Sequence, residues 1–336
     1  MVTTTTKNFN SFVIVGAETS YASGGSPSAA IGRVRSFSPT WSQNYIRNRG
    51  LGEGRNESET IYGNFDASFS VDLDVTDATW DFMAYLIGPR SGSGTSASPY
   101  ALTERDYIGY DSNDIKTFAM EVSSENGTTD DVDTYSGCSL QSATISAAVG
   151  GILSCSASGV AKTLASTTSA SSYTAETTDP WTFQQGTFKW GSTPTTVGRV
   201  NRFSVTINQG LQVYRSFASR FIEQPEAGNR TYDFTIECTM TTTLLTTLRD
   251  DFYGQASSPH AGLTSSTAVA NNEIELNVTG PTNRNGWIRL DQCALDSMSK
   301  PLNVGQGLVI VTFNGHAQDG GSTAQANKPI MWQNAA

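Results

Sequence analysis

The sequence predicts a mainly β protein: two tandem β-sandwich or barrel-wall domains, each with one flanking α-helix. Three observations carry this. Among 336 residues there are 40 serines, 42 threonines and 31 glycines, a composition that suits pleated strands and turns and disfavours helices. From Phe65 to Val75 the residues alternate strictly between apolar and polar, the period of a strand with one buried and one wet face. One sequence unit also occurs twice.

The repeat is read from seven ordered matches, the first being Gly25-Ser26-Pro27 against Gly191-Ser192-Thr193-Pro194. Ile31-Gly32-Arg33-Val34-Arg35-Ser36-Phe37-Ser38 returns as Val197-Gly198-Arg199-Val200-Asn201-Arg202-Phe203-Ser204, an offset of 166. Phe69-Ser70-Val71 returns as Phe234-Thr235-Ile236, and Gly88 as Gly254. Thr117–Val122 resembles Glu273–Val278, Cys138–Ser142 resembles Cys293–Ser297, and Val149-Gly150 resembles Val304-Gly305. The expected boundaries are residues 11–162 for the first domain, 163–178 for a linker, 179–318 for the second domain and 319–336 for a C-terminal tail. The linker, Thr163 to Thr178, is small, polar and nearly uncharged, a composition that cannot bury enough apolar area to fold alone.

Within each unit the elements follow in order. A first strand runs through Phe37, Pro39 and Trp41, and again through Phe203, Val205 and Ile207. The long alternating strand follows, and its second version alternates Tyr232, Phe234, Ile236, Cys238 and Met240 with Asp233, Thr235, Glu237 and Thr239. A helix comes next. Thr76 caps it, Asp77 suits the positive end of its dipole, and Trp80, Met83, Ala84 and Ile87 form one face before Gly88 stops it. Leu244, Leu245, Leu248 and Phe252 repeat the stripe ahead of Gly254. Final strands are expected near Ala148 to Ser158 and Gly307 to Phe313.

Composition also excludes functions. Net charge is −10, the opposite of the concentrated Lys/Arg surface that grips DNA phosphates. No apolar run approaches the ~20 residues that span a bilayer, and Phe12–Val15 is too short for the apolar core of a signal peptide. Cys138, Cys155, Cys238 and Cys293 form no C-x-x-C pair, and His260 and His316 lie far apart, so no zinc site is expected. Free buried cysteines or one disulfide remain as readings. His316 reads as a loop residue without a catalytic motif around it. Asp130-Asp131-Val132-Asp133 and Asp111–Asp114 lack the calcium-loop pattern. No catalytic, metal or cofactor site is expected, and the chain does not read as an enzyme.

The order of elements, with the segment Gly16-Ala17-Glu18-Thr19-Ser20-Tyr21 as a G-x-E-T-x-Y motif, resembles the major tail tube proteins of long-tailed viruses, siphovirus-like bacteriophages or archaeal tailed viruses. Copy two has Thr182-Phe183-Gln184-Gln185-Gly186 at the corresponding place and departs from the motif. The resemblance implies a virion structural protein, made in the host cytoplasm, whose rings stack into a hollow tail tube conducting viral DNA during ejection. Most members carry one unit and form hexameric rings, so a duplicated chain implies a trimer with pseudo-sixfold symmetry. The implied partners are further copies of the chain, tail terminator, tape-measure and baseplate proteins, and double-stranded DNA in passage, with no membrane. An extracellular adhesin or surface-layer subunit with tandem β-sandwiches is the alternative that the Thr/Ser richness and acidity leave open.

Two sets of residues are expected to matter. Asp66, Ser68, Ser70, Asp72 and Asp74, with Asp233, Thr235, Glu237 and Thr239, point away from the helix and are expected to line the channel. Arg47, Arg49 and Arg55, with Arg215 and Arg220, lie in long loops between paired strands and are expected to reach carboxylates of the next ring. The insertion from Pro89 to Asp114, rich in Gly, Ser and Tyr, is expected to pack on a neighbouring subunit or ring.

Overall fold

The computed structural model describes residues 11–48, 59–104, 116–124, 130–183, 186–191, 193–254, 272–279, 284–302, 308–318 and 330–333. The first half contains β1 (Ser11–Ala17), β2 (Ala29–Ala30), β3 (Arg33–Ser42), β4 (Ile46–Asn48), β5 (Glu59–Ile61), β6 (Asp66–Asp74), α1 (Asp77–Met83), β7 (Arg90–Ser91), β8 (Tyr100–Leu102), β9 (Phe118–Ser124), β10 (Asp131–Ala148), β11 (Ser154–Ala161) and β12 (Thr163–Thr167). The second contains β13 (Gly186–Gly191), β14 (Thr195–Thr196), β15 (Val200–Asn208), β16 (Thr231–Thr239), α2 (Thr242–Tyr253), β17 (Asn272–Thr279), β18 (Asn285–Ser299), β19 (Ile310–Ala317) and β20 (Ile330–Gln333). The chain is mainly β, as its composition predicts.

The long strand β10 serves two sheets. Its first part lies between β9 and β12, and its last part between β11 and β15. The change of sheet coincides with Gly137 at φ +67, beside a register shift between Tyr135 and Cys138. Such a bulge bends a strand and raises its twist. β18 behaves alike: its first part pairs with β17 and β20, its last part with β19.

Neighbour order is the same in both halves. The first runs β2-β1-β9-β10-β11-β6-β3, and the second β14-β13-β17-β18-β19-β16-β15. The β10–β15 ladder joins them into one antiparallel wall, β3-β6-β11-β10-β15-β16-β19-β18.

Apolar positions of the wall strands face the core. Phe69, Val71 and Leu73 on β6, Ile145 on β10, Phe203, Val205 and Ile207 on β15, and Phe234 and Ile236 on β16 are all buried. The helix was expected to cover this face, but the second sheet shares the task. Phe69 meets Phe118 of β9 edge-on at 6.2 Å between centroids, and Phe118 in turn meets Phe82 of α1 at 5.6 Å.

Several expectations change. β10 ends at Ala148 and β11 begins at Ser154, so the stretch expected as one strand near Ala148 to Ser158 is a hairpin. Residues 163–167 of the expected linker form β12 along β10; Thr and Ser suit an edge strand as well as a solvated segment. The expected tail supplies β20, paired with β18 and β8. The described part of the insertion after Pro89 therefore packs on its own chain, with Tyr100 and Trp332 5.3 Å apart. Opposite β10, Met120 faces Tyr135; opposite β18, Ile274 faces Leu290. That equivalence is two residues away from the alignment of Thr117–Val122 with Glu273–Val278, a shift that a period-two pattern conceals. α1 stops at Met83, and Tyr85, Leu86 and Ile87 continue as turns.

Candidate functional site

The polar positions of the wall strands share one face. On β6, Asp66, Ser68, Ser70 and Asp72 are exposed, while the buried residues between them point into the core. Asp72 lies opposite Ser36 of β3 and Ser156 of β11; Ser70 lies opposite Ser38 and Ser158. Thr144 of β10 then lies opposite both Ser156 and Thr206 of β15, and Thr206 lies opposite Asp233 of β16. Thr235 faces Asn314 of β19, which faces Ser297 of β18. A strip of hydroxyls, amides and carboxylates thus crosses the whole wall.

Cross-strand hydrogen bonds knit the strip. Ser36 Oγ donates to Asp72 at 2.8 Å. The hydroxyls of Ser142 and Ser158, and of Thr144 and Thr206, stand 2.9 Å apart. Thr235 Oγ1 donates to Asn314 Oδ1 at 2.9 Å, and Asn314 Nδ2 to Ser297 Oγ at 3.0 Å. Bonds from Ser156 first, then Ser36, hold the Asp72 carboxyl below the usual carboxylate range. Asp72 therefore stays charged on an open surface.

The other expected lining residues divide. Asp233 is exposed, and Thr235 and Glu237 are partly exposed. Thr239 departs from the pattern: it is buried, and its hydroxyl accepts a bond from Asn201 Nδ2 at 3.0 Å. The alternation ends there because the strand turns toward α2. Asp66 is bonded to Arg215 and Asn44, and Asp74 to Arg35. His316, expected in a loop, sits inside β19 with Nδ1 2.9 Å from Asp296.

Sequence reading missed the strip on β10, β11, β15 and β19. The signal exists in the alternation Ser154-Cys155-Ser156-Ala157-Ser158, but small residues give it little amplitude.

Arg215 and Arg220 have intrachain partners. Arg215 bonds Asp66 and, at 3.3 Å, the carbonyl of Phe65. Arg220 donates to Gln43 Oε1 at 3.0 Å and lies over the Tyr62 ring at 5.0 Å. The Gln209–Arg230 loop thus folds onto the first half, and Arg215 and Arg220 find partners within the chain. Arg47 is exposed on β4; Arg49 and Arg55 lie outside the described residues. This end of the molecule exposes Tyr45, Ile46, Ile61, Tyr62, Val213, Tyr214 and Phe217.

The G-x-E-T-x-Y segment has a structural role. A Cβ on Gly16 would stand 2.3 Å from the carbonyl oxygen of Ser26. Glu18 accepts the amides of Ala22 at 3.0 Å and of Gly137 at 2.8 Å. Tyr21 donates to the carbonyl of Glu223 at 2.9 Å, tying the second half's loop to the first half.

The sequence profile described as phage tail tube protein matches residues 8–324. The chain belongs to the phage tail tube protein family. No curated protein matches the sequence. As a member of that family, this tail tube protein is a structural component of the virion tail. No helix among the described residues is long and apolar enough to cross a membrane.

Proposed function

We propose that this tail tube protein is an internally duplicated subunit. Three copies form a ring with pseudo-sixfold symmetry, rings stack into a tube, and the tube conducts double-stranded DNA during ejection. The observation that carries this reading is the wall itself. It is made from two halves with one strand order, and it presents a continuous hydroxyl and carboxylate face. Two similar units in one chain occupy alternating positions of a closed ring.

Three such walls placed end to end would make a barrel. With strands about 4.8 Å apart and tilted by about 40°, it would be about 50 Å across between backbones, wide enough for a duplex. In that ring Asp66, Ser68, Ser70, Asp72, Asp74, Asp233, Thr235 and Glu237 line the lumen, where carboxylates repel phosphates and hydroxyls hold water. The exposed apolar residues around Tyr62 and Phe217 meet the next ring, since contiguous apolar patches mark interaction surfaces. A tail terminator, a tape-measure protein and a baseplate complete the assembly in a siphovirus-like or archaeal virion assembled from protein made in the host cytoplasm.

Sedimentation and negative-stain microscopy of the purified protein test this. Trimers that stack into hollow tubes of constant diameter are expected. Monomers at every concentration, or flat lattices, would overturn the reading.

A further inference from the structure

The wall has two open ends. Among the described residues, β3 has its ladder with β6 on one side, and the last part of β18 has its ladder with β19 on one side. Their counterparts inside the wall, β15 and the last part of β10, pair with each other.

Bulges fix the equivalences. The β3–β6 ladder skips Arg35, and the β15–β16 ladder skips Asn201. The β10–β11 ladder skips Gln141, and the β18–β19 ladder skips Asp296. Arg35 therefore corresponds to Asn201, and Asp296 to Gln141.

We infer that β3 of one copy pairs antiparallel with residues 297–302 of the next copy, in the register that β15 and β10 adopt inside one chain. The internal pairs Asn208 with Ser142, Ile207 with Ala143 and Thr206 with Thr144 translate into Ser42 with Ser297, Trp41 with Met298 and Thr40 with Ser299. This rests on the ring reading and names the contact that closes the ring.

Exposure supports the assignment. Ile207 is 1% exposed inside the wall, whereas its counterpart Trp41 is 49% exposed. Leu302, beyond the end of β18, is 73% exposed and falls opposite Phe37 in this register. Joining the ends covers both apolar edges. On the polar face, Thr40 and Ser299 reproduce the hydroxyl pair of Thr206 and Thr144, which stand 2.9 Å apart. Gln209 donates its amide to the Gln141 carbonyl at 2.9 Å, and Gln43 can donate likewise to Asp296.

Pro39 fits the same geometry. The Gln209 amide and the Asn201 carbonyl both point toward β10, so odd-numbered backbone groups of β15 face that way. By equivalence, Pro39 points its nitrogen at the open edge, where it removes one donor. Proline on an edge strand limits indiscriminate pairing of the free chain. The remaining donors of the edge still specify the correct neighbour.

Cysteine cross-linking tests the seam. Thr40→Cys with Ser299→Cys should yield covalent dimers and trimers on oxidation of assembled protein. Thr144→Cys with Thr206→Cys is the intrachain control. Thr40→Cys with Met298→Cys, on opposite faces, should stay monomeric. Rings that remain intact by microscopy, with the control closed but no cross-link between copies, would overturn the seam and leave the ring reading standing. Protein that sediments only as monomer overturns the ring reading, and the seam falls with it. A second variant, Trp41→Glu, should raise the concentration needed for assembly at least tenfold without changing the melting temperature of the free chain. Assembly at the wild-type concentration would contradict the seam.

Discussion

Glu18 holds Gly137: its Oε1 accepts the Gly137 amide at 2.8 Å while Oε2 accepts the Ala22 amide at 3.0 Å. Gly137 lies where β10 leaves one sheet for the other, at φ +67. A Cβ there would stand 2.8 Å from the Lys162 Cβ and 2.9 Å from the Tyr21 ring. The motif therefore fixes the corner of the sandwich from outside the strand it bends.

Glu18→Ala leaves two backbone donors without their acceptor. Hydrogen bonds to a charged group are worth about 1.5–3 kcal/mol, and stranded donors add to the loss. We expect a loss of about 3 kcal/mol in urea unfolding and a smaller loss for Glu18→Gln, which keeps one acceptor. Equal stability of both variants and the wild type would remove the clamp from the account.

Arg284 bridges the halves. It lies 2.5 Å from Asp77 at the start of α1, donates to the Asp179 carbonyl at 3.2 Å and sits 4.9 Å over the Trp181 ring. Breaking a buried pair from one side costs about 3–5 kcal/mol. Arg284→Ala should destabilise by about 3 kcal/mol in urea unfolding, and Arg284→Lys by less, since lysine keeps the charge but not the fork. A change under about 0.5 kcal/mol would show the contact to be ornamental.

The four cysteines are free and buried. Burial pushes the thiols of Cys155 and Cys238 up to about 12, so at pH 8 the reactive thiolate is scarce and access is closed. Native protein should show no thiol titre at pH 8 with a disulfide reagent, and the full titre after denaturation. Rapid labelling of the native protein would contradict the packing of β11 and β16.

Legibility in the sequence followed side-chain contrast. The Asp66–Asp74 strand was plain because Phe69, Val71 and Leu73 alternate with charged and hydroxyl groups. β11 carries the same alternation in Ser, Ala, Cys and Gly, where small size removes the contrast. β12 and the linker share one composition, and only the open edge of β10 distinguishes them. β10 breaks its own period at Gly137, so a strand serving two sheets is read as separate pieces. The partners of Arg215 and Arg220 lie 150 and 177 residues away, and local pattern carries no sign of them.

The end bearing Tyr62 and Phe217 should govern stacking. Tyr45 and Tyr62 pack on each other at 5.4 Å between centroids, yet both remain exposed with Phe217. Tyr62→Ser with Phe217→Ser should leave ring formation intact and shorten or abolish tubes in negative stain. Tubes of normal length would move the stacking surface elsewhere.

The lumen assignment gives the last expectation. Of the strip's carboxylates, Asp66 and Asp74 hold Arg215 and Arg35, so replacing them perturbs structure as well as charge. Asp72 and Asp233 are exposed and are the cleaner sites. Asp72 has a depressed pKa. Its small contribution to stability is therefore present above the ordinary carboxylate range and is lost as pH falls through the depressed value. Asp72→Lys with Asp233→Lys should cost little stability at neutral pH and leave tubes intact. Lysines placed toward the lumen add phosphate contacts, so DNA release should slow, and added salt should restore it because each contact releases counterions. Unchanged release kinetics at low salt would argue against the lumen. So would ready labelling of Ser70→Cys, in intact tubes, by a thiol reagent too bulky to enter them.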